Sequence, residues 1–307
     1  MKRFYFSDKT VIDARTGLMW TRDGAIFEFP LCWEEALEAI KALNRQNLYG
    51  LTDWKLPNRR ELFSLISHSR INPSLPADHP FTHIFPGYYW TSTTCVRLPN
   101  QAWYIHLGGG RVFKGMKHGS YRVWPVRTAD AARTPQVCQT GQTICYDAKG
   151  ATVSCRETGQ DGEWRSGSPH GMDRFVVANG VVRDSATGLQ WLQNGDVLEG
   201  MMDWRTAFDR IGEMNRRTQS GRSDWRVPNI VELESLIDMG RHSPALPPDH
   251  PFEEVQDFYW SSTTSVYHRE YAWVLYMKDG AVGVGHKPLS EFYLWPVCGN
   301  SLPVADA

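Results

Sequence analysis

A chain of 307 residues is long enough for two domains of ordinary size, each able to bury its own core. Its formal net charge of −1 gives no global reason to expect nucleic acid or a membrane surface as partner, so an electrostatic partner has to be sought locally. No apolar run approaches the roughly 18 residues of a membrane span. The start, Met1-Lys-Arg-Phe-Tyr-Phe-Ser-Asp8, lacks the apolar stretch of a secretory signal. The expectation is a soluble chain, either cytoplasmic or given without its export signal.

In chain order, Val11 to Trp20 reads as an opening strand and turn, with Thr16-Gly17 as the turn signal. Trp33, Leu37, Ile40 and Leu43 fall at helical spacing and predict a first helix. Asn58 followed by Glu61 predicts a second helix start, with Asn capping free backbone N–H groups and Glu reaching back; the helix continues through Leu62, Leu65 and Ile66. After a proline-rich loop, short strands are expected around Tyr89 to Thr93, Trp103 to Leu107, Arg111 to Lys114 and Val123 to Val126, with Gly108-Gly-Gly110 as a hairpin turn.

That order then recurs. Trp20, Trp33, Trp54 and Trp124 return as Trp191, Trp204, Trp225 and Trp295, each 171 positions later, while Trp90 and Trp103 return as Trp260 and Trp273 at 170. Whole phrases match: Thr16-Gly-Leu-Met-Trp20 with Thr187-Gly-Leu-Gln-Trp191, and Asp53-Trp-Lys-Leu-Pro-Asn58 with Asp224-Trp-Arg-Val-Pro-Asn229. Asp78-His-Pro-Phe81 matches Asp249-His-Pro-Phe252, and Tyr89-Trp-Thr-Ser-Thr-Thr94 matches Tyr259-Trp-Ser-Ser-Thr-Thr264. The expected organisation is repeat one over 1–127, a linker over 128–172, repeat two over 173–298 and a tail over 299–307. Only Trp164, in the linker, lacks a counterpart.

Within the expected Trp103–Leu107 strand, Trp103, Ile105 and Leu107 alternate with Tyr104 and His106, so the first set faces the core and the second solvent. In repeat two Trp273, Leu275 and Met277 stay apolar, whereas Tyr104 becomes Val274 and His106 becomes Tyr276. A scaffold with a variable outer surface fits this pattern, as does relaxed constraint on a solvent face. The cysteines Cys32, Cys95, Cys138, Cys145, Cys155 and Cys298 lack the paired spacing of a zinc site. Cys145 and Cys155 could close a local disulfide in an oxidising compartment.

The ordered phrases Thr-Gly-Leu-x-Trp, Asp-Trp-(Lys/Arg)-x-Pro-Asn-x-x-Glu-Leu, Tyr-Trp-(Thr/Ser)-Ser-Thr and the late Ala-Trp resemble the Lcl C-terminal domain family, in both repeats. The linker phrases Thr140-Gly-Gln-Thr-Ile-Cys-Tyr-Asp147 and Thr158-Gly-Gln-Asp-Gly162 look like the spacer beside such domains in bacterial surface proteins. The resemblance implies an α+β chain of two tandem C-type-lectin-like domains, each with two helices and a mainly antiparallel twisted sheet. In that fold the first and last strands pair, and loops near the later strands bind ligands. The family's namesake is an adhesin for sulfated polysaccharides, so the resemblance implies a binding or adhesion protein outside the cell or at its surface.

Charge is unevenly divided: 17 Lys and Arg against 10 Asp and Glu in repeat one, 12 against 18 in repeat two. Much of the positive excess lies at Arg111, Lys114, Lys117, Arg122 and Arg127, with Arg97 and His118 nearby in sequence. Arg and Lys on such a face can form charge-assisted hydrogen bonds to sulfate, phosphate or carboxylate. The bland alternative is a solvated basic face, perhaps docking on acidic repeat two. The candidate ligand-binding set is Arg97, Tyr104, His106, Arg111, Lys114, Lys117, His118, Tyr267, Arg269 and Tyr276, the tyrosines offering large area with a polar tip. The partner expected is an anionic glycan or a protein surface, with no nucleic acid and no membrane span; homo-oligomers driven by the opposite charges are the alternative.

Catalysis is expected to be absent, and no cofactor or metal is expected. The Asp78-His79 and Asp249-His250 pairs have no recognisable third ligand or nucleophile and read as loop anchors. Asn58 and Asn229 read as helix caps rather than as part of a calcium loop. Formylglycine-generating enzymes share the lectin-like fold and use reactive cysteines, but Cys95 and Cys298 have no cysteine counterpart in the other repeat.

Overall fold

The computed structural model describes residues 2–169, 171 and 173–302. The chain divides into a compact unit that ends at Pro169 and a second that follows it, each built from helices and antiparallel strands. In the first unit β1 (Phe4–Phe6), β2 (Thr10–Asp13) and β3 (Leu18–Thr21) form a meander, followed by α1 (Trp33–Arg45) and α2 (Arg59–Phe63). Then come β4 (Tyr88–Thr94), β5 (Gln101–His106), β6 (Arg111–Met116), β7 (Val126–Thr128), the short pair β8 (Cys145–Tyr146) and β9 (Thr152–Val153), and α3 (Asp161–Trp164). The second unit repeats the scheme as β10 (Phe175–Ala178), β11 (Val181–Asp184), β12 (Gln190–Leu192), α4 (Trp204–Arg216), α5 (Ile230–Ser235), β13 (Phe258–Thr264), β14 (Tyr271–Tyr276), β15 (Val282–His286) and β16 (Val297–Cys298). Of the expected tail, 299–307, the part beyond Leu302 lies outside the described residues.

The helix starts are those the sequence predicts. Asn58 Oδ1 accepts from Glu61 N at 2.9 Å while Glu61 Oε2 accepts from Asn58 N at 2.8 Å, a reciprocal cap that Asn229 and Glu232 reproduce. The second helix is shorter than expected: α2 ends at Phe63, and Leu65 and Ile66 are buried in the turn that follows. The closing strand also differs. Residues 123–125 are not in a strand, and β7 pairs antiparallel with β3 rather than with the first strand, in the order β1-β2-β3-β7. Gly110, at φ +85°, closes the β5–β6 turn with its N–H on His106 O at 2.7 Å.

Strands β4, β5 and β6 pair in sequence order, Trp90 opposite Tyr104 and Tyr104 opposite Phe113. One core joins Trp33, Ala36, Leu37 and Ile40 of α1 to Trp54, Leu56, Trp90, Ala102 and Val123. The second unit builds the equivalent core from Ala207, Ile211 and Met214 of α4 with Trp225, Val227, Trp260, Ala272, Val274 and Leu294. Here the expected solvent face fails: Val274 is fully buried, and Tyr276 packs against this core. The apolar face of α4 is also less complete than that of α1, for Phe208 is 39 % exposed where Leu37 is 5 % exposed.

Each unit is clamped by a buried ion pair that lies far apart in sequence from the helix it holds. Arg3 forks onto Asp13 at 2.8 and 3.1 Å and donates to Ser64 O at 2.9 Å, so the meander is tied to the end of α2. Arg174, Asp184 and Ser235 repeat the geometry at 2.7 and 2.8 Å, and there both charged side chains are buried. Truncating one partner strands a buried charge, which costs roughly 3–5 kcal/mol. Asp184→Ala is therefore expected to lower the urea midpoint of the second unit's transition by that equivalent; an unchanged midpoint would show that the clamp carries no net stability.

Candidate functional site

The basic residues gathered by sequence do not form one surface. Lys117 is buried, with Nζ 4.0 Å from the Trp33 ring centroid and donating to Tyr146 O at 3.0 Å and Asp147 O at 3.1 Å. Burial brings its ammonium down to about 7, against the opposing pull of Asp147 and Glu34. Lys117 thus lies buried on internal partners rather than on an open basic face. Arg127 forks onto Asp53 at 2.6 and 2.9 Å, and Arg122 donates to Glu28 O at 3.0 Å with its guanidinium over Phe85. Arg111 and His118 are exposed, Arg97 is half-buried, and Lys114 Nζ stands 4.6 Å from the Phe113 ring centroid.

What the first unit does assemble is an aromatic face. Tyr88 on β4 and His106 on β5 are directly opposed, Tyr104 neighbours both, and Tyr121 arrives from the loop before β7. Ring centroids lie 4.9 Å apart for Tyr88–Tyr104, 4.8 Å for Tyr88–His106, 5.4 Å for Tyr88–Tyr121 and 5.0 Å for Tyr104–Tyr121. Gly115 makes room: a Cβ there would stand 2.6 Å from the Tyr121 hydroxyl and 2.8 Å from its ring, so no larger residue would let that ring lie on β6. Tyr88 is 45 % exposed, Tyr104, His106 and Tyr121 are half-buried, and Arg111 opposes His106 in the ladder. Tyr104 and His106 thus stand in a ring cluster, not on an open solvent face. Burial pushes the Tyr104 phenol up to about 12 and the His106 imidazole down, Arg111 adding to the latter. None of the three tyrosine hydroxyls bonds to another protein group among the described residues.

The second unit fills the same place with Phe258, Tyr276 and Phe292, centroids 5.5 to 6.3 Å apart, and Phe292 is only 6 % exposed. Tyr276 is therefore part of a packed apolar cluster. Tyr267, 58 % exposed, and exposed Arg269 lie apart from it in the β13–β14 connection. The repeats share the scaffold while differing in the polar edges that the rings present.

The segment expected to be a linker is folded onto repeat one. Cys145 and Cys155 form a disulfide that closes the β8–β9 hairpin. Gln142 bridges the Thr94 N–H and carbonyl at 2.9 Å each, and Asp161 Oδ2 accepts from Thr93 at 2.6 Å and Thr140 at 2.7 Å. Ser166 donates to Glu61 Oε1, which also receives Lys55. Trp164, 44 % exposed, borders a cleft with Asp53, Lys55, Arg133 and Thr134. Its lack of a counterpart in repeat two was the one sequence signal for that cleft.

The His79 and His250 rings stack on Phe81 and Phe252 at 5.9 and 6.0 Å, and burial lowers both imidazoles. Glu61 and Glu232 are committed to their caps and to Lys55 and Arg226. Cys95 and Cys298 are buried, and burial pushes the Cys298 thiol up to about 11, away from the thiolate a nucleophile needs. Among the described residues no cluster of His, Cys, Asp and Glu is arranged to hold a metal ion.

Two tandem α+β domains, each with a capped helix pair against an antiparallel sheet, define the class. The model of the Lcl C-terminal domain matches residues 9–127 and again 180–298, and the chain belongs to that family. No curated protein matches the chain.

The buried Asp161 carboxyl gives this arrangement a pH dependence. Burial pushes it up to about 6 from an ordinary 3.8, with the Thr93 and Thr140 hydroxyls opposing that shift. A raised folded value means the folded form holds the proton more tightly, so this contribution is full below about 3.8 and is lost as pH rises through about 6. Hydrogen exchange at the Thr94 and Gln142 amides, corrected for intrinsic rates, is expected to show opening growing easier from pH 4 to 6, by at most about 1.4 kcal/mol per pH unit. Asp161→Asn should flatten that slope; the same slope in the variant would place its origin elsewhere.

Proposed function

We propose that this chain is a binding or adhesion protein of C-type-lectin-like fold rather than an enzyme, and that its first repeat recognises a glycan carrying an anionic group. The observation that carries this reading is the exposed ring face of Tyr88 backed by Tyr104 and Tyr121, with Arg111 opposite His106 at its border. Tyrosine rings offer a flat apolar surface for a sugar face and hydroxyls for its edges. Arg111 offers a fork for sulfate or carboxylate. The disulfide in the same unit supports an oxidising setting outside the cytosol. Because Lys117, Arg122 and Arg127 are committed to internal partners, the reading rests on one cation and a ring face, not on a broad basic patch.

Such a site has a definite salt response. Binding of the intact chain to sulfated and neutral oligosaccharides at about 50 and 200 mM salt should favour the sulfated set and weaken at the higher ionic strength. Arg111→Ala should cost about 1.5–3 kcal/mol, roughly 10- to 100-fold in affinity, and Tyr88→Ala should weaken neutral and sulfated ligands alike. Absence of binding to every sugar, or affinity indifferent to both substitutions, would overturn the proposal.

A further inference from the structure

The two repeats differ in what covers one shared face. In repeat one, residues 140–161 lie across the α1 and β4 side: Gly159 sits against Leu37, where an added Cβ would be 3.5 Å from Leu37 Cδ2, and Ala148 N donates to Glu34 Oε1 at 3.1 Å. The same segment gives Lys117 its two carbonyls, Thr94 its Gln142 bridge and the Thr93 hydroxyl its Asp161 acceptor. Trp33, Thr93 and Thr94 are consequently fully buried.

The counterparts in repeat two are Trp204, Phe208, Thr263, Thr264 and Lys287. Lys287 Nζ keeps its place 4.1 Å from the Trp204 centroid, but among the described residues it has no carbonyl partner and donates to Thr264 Oγ1 at 2.8 Å. Thr263 Oγ1 accepts from Ile230 N at 3.1 Å, as Thr93 does from Arg59 N, yet its hydroxyl proton has no acceptor among the described residues. Among the described residues no side chain bridges the Thr264 main chain as Gln142 bridges that of Thr94. Trp204, Thr263 and Thr264 are half-exposed and Phe208 is 39 % exposed. A face adapted to water would have gained polarity; here leucine is replaced by the larger phenylalanine, while the buried-type lysine and both threonines are kept.

We propose that this face of repeat two is a docking surface for a hairpin-containing segment of a partner polypeptide with the chemistry of residues 140–161. That segment would supply main-chain carbonyls to Lys287, a carboxamide to the Thr264 main chain, a carboxylate to the Thr263 hydroxyl and a small residue against Phe208. It is a protein site on the second repeat, independent of the glycan site on the first.

The probe is a labelled synthetic peptide spanning residues 138–166 with the Cys145–Cys155 disulfide closed, titrated by fluorescence anisotropy with the full chain, whose repeat one already holds its own copy. Saturable one-to-one binding is expected, weakened at least tenfold by Phe208→Asp and by Lys287→Gln, and by Asp161→Ala in the peptide. Phe208 and Lys287 are not core residues, and far-UV circular dichroism checks that the variants keep the fold. Absence of saturable binding, or binding indifferent to both protein substitutions, would overturn the proposal. So would concentration-dependent dimerisation of the chain abolished by Phe208→Asp, which would assign the face to a second copy.

Discussion

Placing many indoles in a small core creates one constraint above others: each buried N–H must find an acceptor, and an orphan costs about 1–3 kcal/mol. Eight indoles meet it by donating to carbonyls outside their own element. Trp33 of α1 donates to Thr91 O, Trp90 of β4 to Leu31 O, Trp124 to Thr21 O and Trp54 to Leu48 O. Trp204, Trp260, Trp295 and Trp225 repeat the scheme onto Ser261, Met202, Leu192 and Gln219. Trp33 ties α1 to β4, Trp90 ties β4 to the residues leading into α1, and Trp124 pins the residues before the closing strand to β3. Trp20 and Trp191 depart from this scheme: neither indole N–H meets an acceptor among the described residues, and the rings pack against Trp124 and Trp295.

With the interior fixed that way, difference between the repeats is confined to positions the indoles do not govern. Tyr88, Tyr104 and Tyr121 in one unit and Phe258, Val274 and Phe292 in the other occupy equivalent places around Trp90 and Trp260. Substitution of phenols by apolar groups there removes polar edges without disturbing the staple beneath. The segment after repeat one extends the same logic. Its Asp161, Gln142 and Ser166 satisfy polar groups of β4 and α2, and a cystine loop stiffens the part that reaches Lys117. A small domain thereby gains buried polar partners that its own length does not supply.

Much of this was legible in the sequence because the chain carries its own comparison. The duplicated tryptophans and phrases set the domain organisation, the Asn-x-x-Glu spacing set two helix starts, and the alternation of Trp103, Ile105 and Leu107 set the buried side of β5. The extent of α2 was not legible, since Leu65 and Ile66 are apolar for burial in a turn as readily as in a helix. The role of Lys117 shows only when the two repeats are compared. Arg111, Lys114 and His118 become Ala281, Val284 and Pro288, while Lys117 alone stays lysine at Lys287, as a structural cation over a retained tryptophan would. Tyr88 and Tyr121 carry no local sequence signal, because only long-range folding brings them to Tyr104. The docking of residues 140–161 depends on hydrogen bonds between residues more than 40 positions apart, a separation that no local pattern reports.

The central claim is that a ligand meets the first repeat on its tyrosine face, and amide chemical-shift mapping of the full chain during titration with a sulfated oligosaccharide tests it most directly. The account predicts perturbations centred on Tyr88, Tyr104, His106 and Arg111, with the Phe258–Tyr276 face of the second repeat silent. Perturbations centred instead on the Trp164 cleft or on the Tyr267–Arg269 connection, with the tyrosine face unmoved, would contradict it.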